Sequence, residues 1–518
     1  MSTDKKKFLS GAGLLALSVI FAKVLGAVYR LPLANILGAE GMGLYQFVYP
    51  VFALLLTLSS GAVPTAVSIT VGHYISSGDI DGAKKAFAVT VKLSLLFGVV
   101  GTCLMLLIAY PISILQSEDA FIGYLSISPA VFIVTLISAF RGFFMGKKNM
   151  IPGSISQVTE GIVKLGVGIT LSKILLPYGI KYAVVGALLG VVASELVTLI
   201  ILFFTYLFSE KRIYFVKLAD NKPQIKDFFH LMAPLVICGL ILPLSLFIDS
   251  VLIVNLLKIK KVSDPTALYG LFSGVATPLI NLPVMVCISL GVAITPQMVE
   301  GKVKRDVDFI MDKCGAATKL TFLLGVPFVF IYLFLSNGVI NLLYPALSGE
   351  NTVVASRILM ILSPSLLGLS IFQIYSAMLQ GLGKTMVPVK IMAFCAVMKI
   401  FMSTVLVPTV GIVGAAISNS FSYCLAGVII TVYFFNYVRV TDEFAKNAGL
   451  ITLCGVIMGF AVLMSEKLIV SKVGVIVACI LAGAVYLLSV FALRVFNREE
   501  LASLPLSKLL LRLDEKMR

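Results

Sequence analysis

The chain has 518 residues, 59% of them hydrophobic and 13% charged, with a mean hydropathy of +1.05. A water-soluble protein cannot hide so much apolar surface, because its exterior must face water, and that class is excluded. The net charge of +16 would suit a nucleic-acid binder, but no basic run is interleaved with aromatics and no nucleic-acid motif is present, so no nucleic-acid partner is expected.

The apolar residues gather in runs separated by short charged stretches, each run long enough for the roughly 20 residues that a bilayer crossing needs. The first run starts at Phe8, behind Lys5, Lys6 and Lys7. It resembles a secretory leader, but Lys23 and Arg30 interrupt it, apolar character resumes and no small-residue cleavage site follows, so it is read as a retained first span. In chain order, spans are predicted at 8–36, 44–72, 87–110, 121–142, 151–173, 182–208, 228–256, 268–299, 316–336, 352–380, 386–408, 412–437, 446–465 and 473–496. The predicted fold class is therefore an all-α polytopic membrane protein of about 14 transmembrane helices.

With the N-terminus inside, 26 of the 41 Lys and Arg fall to the inner segments, seven to the outer loops and eight to the spans. Cytoplasmic loops are enriched in exactly these residues' charge, so the bias predicts a multi-pass plasma-membrane protein with both termini cytoplasmic. Lys258, Lys260 and Lys261 form the one local violation. The eight cysteines include no CxxC pair, and seven sit in apolar runs, so they are read as small hydrophobes, with neither a disulfide framework nor a metal site expected. The two histidines, His73 and His230, fall at cytoplasmic span ends and offer little to a metal or catalytic site.

Spans 1–6 and 7–12 read as an internal repeat. Lys148-Asn149-Met150-Ile151-Pro152 reappears as Lys384-Thr385-Met386-Val387-Pro388, 236 residues on. Val184-Val185-Gly186-Ala187 matches Ile412-Val413-Gly414-Ala415 at an offset of 228, and Ala66-Val67-Ser68 matches Ala293-Ile294-Thr295 at 227. Six crossings return a chain to its starting side, so the repeats are parallel and related by a pseudo-two-fold axis along the membrane normal, a plan used around central transport cavities. The predicted organisation is a first lobe over 1–217, a second over 218–440, and 441–518 holding two extra spans and a tail. In that tail Leu506, Leu509, Leu510 and Leu513 alternate with Lys508, Arg512 and Lys516. It reads either as an amphipathic helix on the inner leaflet or as a loosely ordered basic segment.

Charges deep in spans are costly and mark cavities or ion pairs. Lys92, Lys319, Arg357 and Lys390 lie near span ends and are expected to snorkel. Lys23 and Arg30, seven residues apart, share one face of span 1 about 10 Å apart. They serve either to neutralise acids on neighbouring spans or, as fixed cations, to receive a phosphate or pyrophosphate. Span 5 carries Gln157, Glu160 and Lys164; the acid and base stand i, i+4, so an intrahelical pair is the alternative to a substrate role. Glu195 in span 6 lacks a local partner and is expected to meet a span 1 cation. In the second lobe Asp249 and Lys399 are the deep charges, read as a charge pair or a coupling site. Lys390 and Lys399 are nine apart and point to opposite faces, so only one can face a cavity, and Lys399 is chosen. Prolines within spans, among them Pro32, Pro50, Pro64 and Pro129, permit bends.

Three stretches carry a family likeness: Leu37-Gly38-Ala39-Glu40-Gly41-Met42-Gly43-Leu44-Tyr45 after a basic first span; Gly61-Ala62-Val63-Pro64-Thr65-Ala66-Val67-Ser68 followed by Gly78-Asp79-Ile80-Asp81-Gly82-Ala83; and Ser156-Gln157-Val158-Thr159-Glu160 with Lys164. Over its whole length the chain resembles the polysaccharide-export branch of the multidrug/oligosaccharidyl-lipid/polysaccharide exporter superfamily, within it the stage V sporulation protein B group and its lipid II flippase relatives. The resemblance implies a flippase for an undecaprenyl-pyrophosphate-linked sugar, lipid II first, in a Gram-positive type of cell. It implies basic span 1 residues in the central cavity, which Lys23 matches and Arg30 adjoins. Some such flippases hold a cation between spans 7 and 11; Asp249 matches its acid, whereas Lys399 stands where a carboxylate would be needed. The expected partners are a lipid-linked oligosaccharide and membrane lipids, and a monomer suffices. No cofactor is expected, since no Gly-rich phosphate loop with a following Lys-Ser/Thr is present, and the drive is membrane potential or a cation. The competing readings are a cation-coupled drug exporter of the same superfamily and a membrane-embedded glycosyltransferase or polymerase, which the short, acid-poor outer loops disfavour.

Overall fold

A computed structural model describes residues 3–210, 222–347, 349–438, 443–466, 472–493 and 495. The side chains before Ser18 and that of Lys23 lie outside the described residues, as do His230, Cys238 and the 506–516 segment. The described chain is helical, with no strand among these residues. Sixteen α-helices follow one another: α1 (Thr3–Ser60), α2 (Val63–Ser76), α3 (Ile80–Gln116), α4 (Ala120–Gly146), α5 (Ile151–Leu175), α6 (Ile180–Glu210), α7 (Lys222–Ile259), α8 (Pro265–Tyr269), α9 (Thr277–Lys304), α10 (Val307–Phe334), α11 (Ser336–Leu343), α12 (Glu350–Gly381), α13 (Met386–Val410), α14 (Ile412–Val438), α15 (Glu443–Glu466) and α16 (Lys472–Ala492).

Thirteen stretches among the described residues are long and apolar enough to cross a membrane. The first, Val24–Ser76, has 53 residues, about 80 Å as a helix against a hydrocarbon core of about 30 Å, so it holds two crossings and the described residues hold fourteen. The break between them is Gly38, at φ 64° and ψ −166° inside α1. Glycine alone adopts that conformation without strain, which is how one run of helix becomes spans 1 and 2. Span 2 breaks again at Gly61-Ala62, where α1 ends and α2 starts with Pro64 in its first turn. Span 8 likewise is composite: α8, a π-helical stretch Gly270–Ala276, then α9.

The chain forms two compact units, Met1–Val275 and Ala276–Arg518. In the first, α5 packs on α6 and α1, α4 on α3, α6 and α2, and α7 on α1 and α3. A cluster of Phe87, Phe140, Phe143 and Tyr206 fills the space among α3, α4 and α6. In the second, α12 sits among α9, α10 and α14, and α15 and α16 pack on each other and on α10. Apolar side chains also cover the lipid-facing surfaces, including Leu107 at 72% and Phe208 at 81% exposure, as a protein dissolved in hydrocarbon requires.

Candidate substrate site

The site is built on α5, whose Gln157, Glu160 and Lys164 stand at i, i+3 and i+7 and so share one face. Two neighbouring helices bring this face close to α1 and α6. On α6, Gly190 lies against the backbone of Gly168, so that a Cβ on Gly190 would overlap the Gly168 Cα. On α5, a Cβ on Gly168 would stand 2.7 Å from the Tyr29 hydroxyl of α1. Small residues at both positions let three helices meet at backbone distance.

Glu160 does not rely on Lys164. Its Oε2 accepts from Nη2 of Arg141 on α4 at 2.9 Å, and Arg141 Nε donates to Ser156 Oγ at 3.1 Å. The i, i+4 spacing points to an intrahelical pair, whereas the planar guanidinium spans α4 and α5 and ties Glu160 and Ser156 together. Lys164 is held differently: its Nζ stands 5.8 Å from the ring centre of Tyr29 and 5.5 Å from that of Tyr49. Both distances are in cation–π range. Tyr49 stacks on Tyr45 with ring centres 5.8 Å apart, and the Tyr29 hydroxyl donates to the Ala187 carbonyl of α6 at 3.3 Å. Arg30 and Lys164 both act electrostatically on Tyr45.

Glu195, only 8% exposed, lies within electrostatic reach of Glu160, Arg141 and Lys164, so the charges described around it come from α4 and α5. A span 1 partner is not among them, although the Lys23 side chain is outside the described residues. Gln157 Oε1 is buried with no hydrogen-bond partner, an acceptor within the cluster that the protein leaves unused. The first unit thus gathers Arg30, Gln157, Glu160, Lys164 and Glu195. It adds Arg141, Tyr29, Tyr45 and Tyr49, which sequence reasoning did not select. Arg141 sits close to the basic Lys147-Lys148 loop and reads as part of it; the tyrosines read as ordinary apolar-run residues. A charged residue in span 4 with Glu160 near in sequence was the available signal.

Asp249, buried on α7, acts on the ring hydroxyl of Tyr269 within the same unit. Lys399 is buried on α13 of the second unit, while Lys390 on the same helix is exposed. Lys319 on α10 is also buried, at 7% exposure, and does not snorkel: packing encloses its stem where position near a span end suggests a route to water.

The profile of the polysaccharide biosynthesis protein family matches residues 8–302, more than half of the chain. The chain belongs to this family. A MatE profile matches residues 234–405, and the family falls within the multidrug/oligosaccharidyl-lipid/polysaccharide exporter superfamily. Stage V sporulation protein B of Bacillus subtilis (strain 168) is 27% identical over 97% of this chain and 98% of its own length. Lipid II flippase MurJ of the same strain is 24% identical over 93% and 94%. Among solved structures, lipid II flippase MurJ in an inward closed conformation superposes with a TM-score of 0.72 at 17% identity, covering 93% of this chain and 98% of that one. An inward-facing multidrug resistance MATE family transporter gives 0.69 at 18% identity, covering 83% and 98%. The family's transporter fold, predicted from the sequence, is the fold of this protein.

Proposed function

We propose that this protein flips a polyprenyl-pyrophosphate-linked sugar, lipid II first among them, from the inner to the outer leaflet by alternating access. The observation that carries the reading is the α1–α5 cluster: Lys164 between two tyrosine rings, Arg30 within electrostatic reach of Tyr45, and an unused Gln157 acceptor. Cations in a partly dry site bind phosphate oxygens strongly, and a buried acceptor takes a sugar hydroxyl. Glu160 and Glu195 prevent the cluster from becoming so positive that the cargo cannot leave. Lys23 joins Arg30 as the second cation of span 1. Both termini lie in the cytoplasm, and the lobes over 1–217 and 218–440 rock about the cargo while the polyprenyl tail stays in lipid.

An inside-negative potential favours outward movement of an anion by about 2.3 kcal/mol per charge per 100 mV, which drives a pyrophosphate without ATP. Asp249 and Lys399 are the second-lobe charges, a charge pair or a coupling site for that movement. The likeness to stage V sporulation protein B and MurJ supports the cargo class. The MatE match over 234–405 favours, as a second reading, a cation-coupled exporter of drugs.

The test is the outer-leaflet accessibility of lipid II in cells depleted of other flippases, comparing the intact protein with Lys164→Met and Arg30→Ala at matched abundance. Restoration by the intact protein and not by the variants is expected. No restoration by a folded, inserted protein removes lipid II as cargo, and a change in drug susceptibility on deletion then brings the exporter reading forward.

A further inference from the structure

The last carbonyls of a helix need donors from elsewhere. At the end of α3 these donors come from α7. Asn255 Nδ2 donates to the Leu115 carbonyl at 2.8 Å, and Lys258 Nζ to the Gln116 carbonyl at 2.7 Å. The ammonium also meets the negative end of the α3 dipole. One turn deeper, Gln116 Nε2 donates to Ser250 Oγ at 2.7 Å, and Gln116 Oε1 faces the Tyr124 hydroxyl of α4, which lies 3.0 Å from the Phe47 carbonyl of α1. Gln116, Ser250, Tyr124 and Phe47 are all buried. Alongside, Gln46 Nε2 donates to the Ser273 carbonyl of the π-helical stretch at 2.7 Å, and Phe47 stacks on Tyr269. The turns at 117–119 and 260–264, which adjoin this network, belong to the side read from the sequence as the outside. Lys258 is one of the three lysines that violate the inside bias, and its capping role gives it a reason to be there.

We infer that these contacts form a hydrated-release latch: α7 caps α3 while the outer side is shut, and the cavity opens outward only when water replaces Asn255 and Lys258 on the α3 carbonyls. The inference rests on the alternating-access reading above. The caps stand at the exposed rim, where Leu115 and Lys258 are open to solvent, while Gln116 and Ser250 behind them are buried, so separation of α7 lets water from the rim reach the buried pair. The latch is polar because an apolar contact of the same area would gain nothing from the arrival of water.

The experiment places a reporter behind the latch. Val254→Cys replaces a fully buried α7 residue and is labelled in intact cells by a membrane-impermeant maleimide, read peptide by peptide. In combination with Asn255→Leu and Lys258→Met, labelling at position 254 is expected to rise by about 30-fold or more, as loss of a charged and a neutral hydrogen bond implies. The buried native Cys395 and Cys454 must stay unlabelled, which separates opening from unfolding. Asn255→Gln, which keeps a donor, should restore slow labelling. As a complementary arm, a Gln116→Cys, Ser250→Cys pair oxidised to a disulfide should stop lipid-linked sugar transport, and reductant should restore it. Unchanged labelling in a folded triple variant, or transport at the parent rate by the oxidised pair, overturns the latch. Labelling needs no cargo: if it rises as expected while no lipid-linked sugar moves in any variant, the latch stands and the cargo reading fails.

Discussion

The two halves of the internal repeat share their packing and only part of their charges. Gly186 at the start of α6 lies against the backbone of α5, where an added Cβ would stand 2.6 Å from the Leu171 carbonyl carbon. Its repeat counterpart, Gly414 at the start of α14, lies against α13 in the same way, with the Leu406 carbonyl carbon at 2.5 Å. In the register these contacts set, with Leu406 standing 235 residues after Leu171, Gln157 and Glu160 fall on Met392 and Cys395, and Lys164 falls on the buried Lys399. The helix contact is retained in both halves because two helices joined by a tight turn must meet there whatever they carry. Of the three polar residues only the lysine recurs, so Gln157 and Glu160 are particular to the first half, as expected of a feature that serves a cargo and not the scaffold.

The comparison predicts unequal effects on transport and equal effects on stability. The largest is Lys164→Met, which should lower outer-leaflet delivery of the lipid-linked sugar by roughly 10- to 100-fold, the worth of one charged hydrogen bond to the cargo. Its counterpart Lys399→Met, on a helix without equivalents of Gln157 and Glu160, should lower delivery by no more than about threefold; a comparable loss at both positions would mean that the two lysines serve transport alike. Next come Gly186→Val and Gly414→Val. Each forces a side chain into a neighbour's backbone, at a cost of about 1–3 kcal/mol or more, so the two should lower the thermal midpoint in detergent by similar amounts. A large drop from only one would break the equivalence of the packing.

A smaller effect is expected from Arg141→Ala, which leaves Glu160 without its ion-pair partner. Pairing it with Glu160→Gln in a double-mutant cycle should recover part of the lost stability, with a coupling of about 0.5–3 kcal/mol. No coupling would mean the Arg141–Glu160 contact orients nothing. Smallest of all, Lys390→Met, on the exposed face of α13, should change neither transport nor stability by more than about 0.5 kcal/mol.

The membrane class and the crossings were legible because hydropathy is written in runs of twenty residues. Places where one run contains two elements were harder to read. Gly38 marks the first break, and the sequence divides spans 1 and 2 near it, yet the second break at Gly61 and the π-helical stretch at 270–276 leave no mark in hydropathy. The short helix α11 between spans 9 and 10 also went unpredicted, being too brief to show a period. At the site, Gln157, Glu160, Lys164 and Glu195 were visible as polar residues inside apolar runs. Arg141 was not, since its position at a span edge is where arginine is unremarkable in any membrane protein. Partnership across helices was the part least readable: local spacing offers Glu160 a neighbour four residues on, and only the packing of α4 on α5 supplies the better one.

Lys164 leans on ring faces where a carboxylate would otherwise hold it. A cation–π contact is worth about 0.5–2 kcal/mol, enough to aim the ammonium and too little to neutralise it. Among the described residues no carboxylate bridges Lys164 directly, so in the proposed transport cycle no salt bridge has to be torn open at the start of each round. For a carrier, turnover is limited by the tightest thing it must let go, and two tyrosines make a grip that is easily surrendered and as easily resumed.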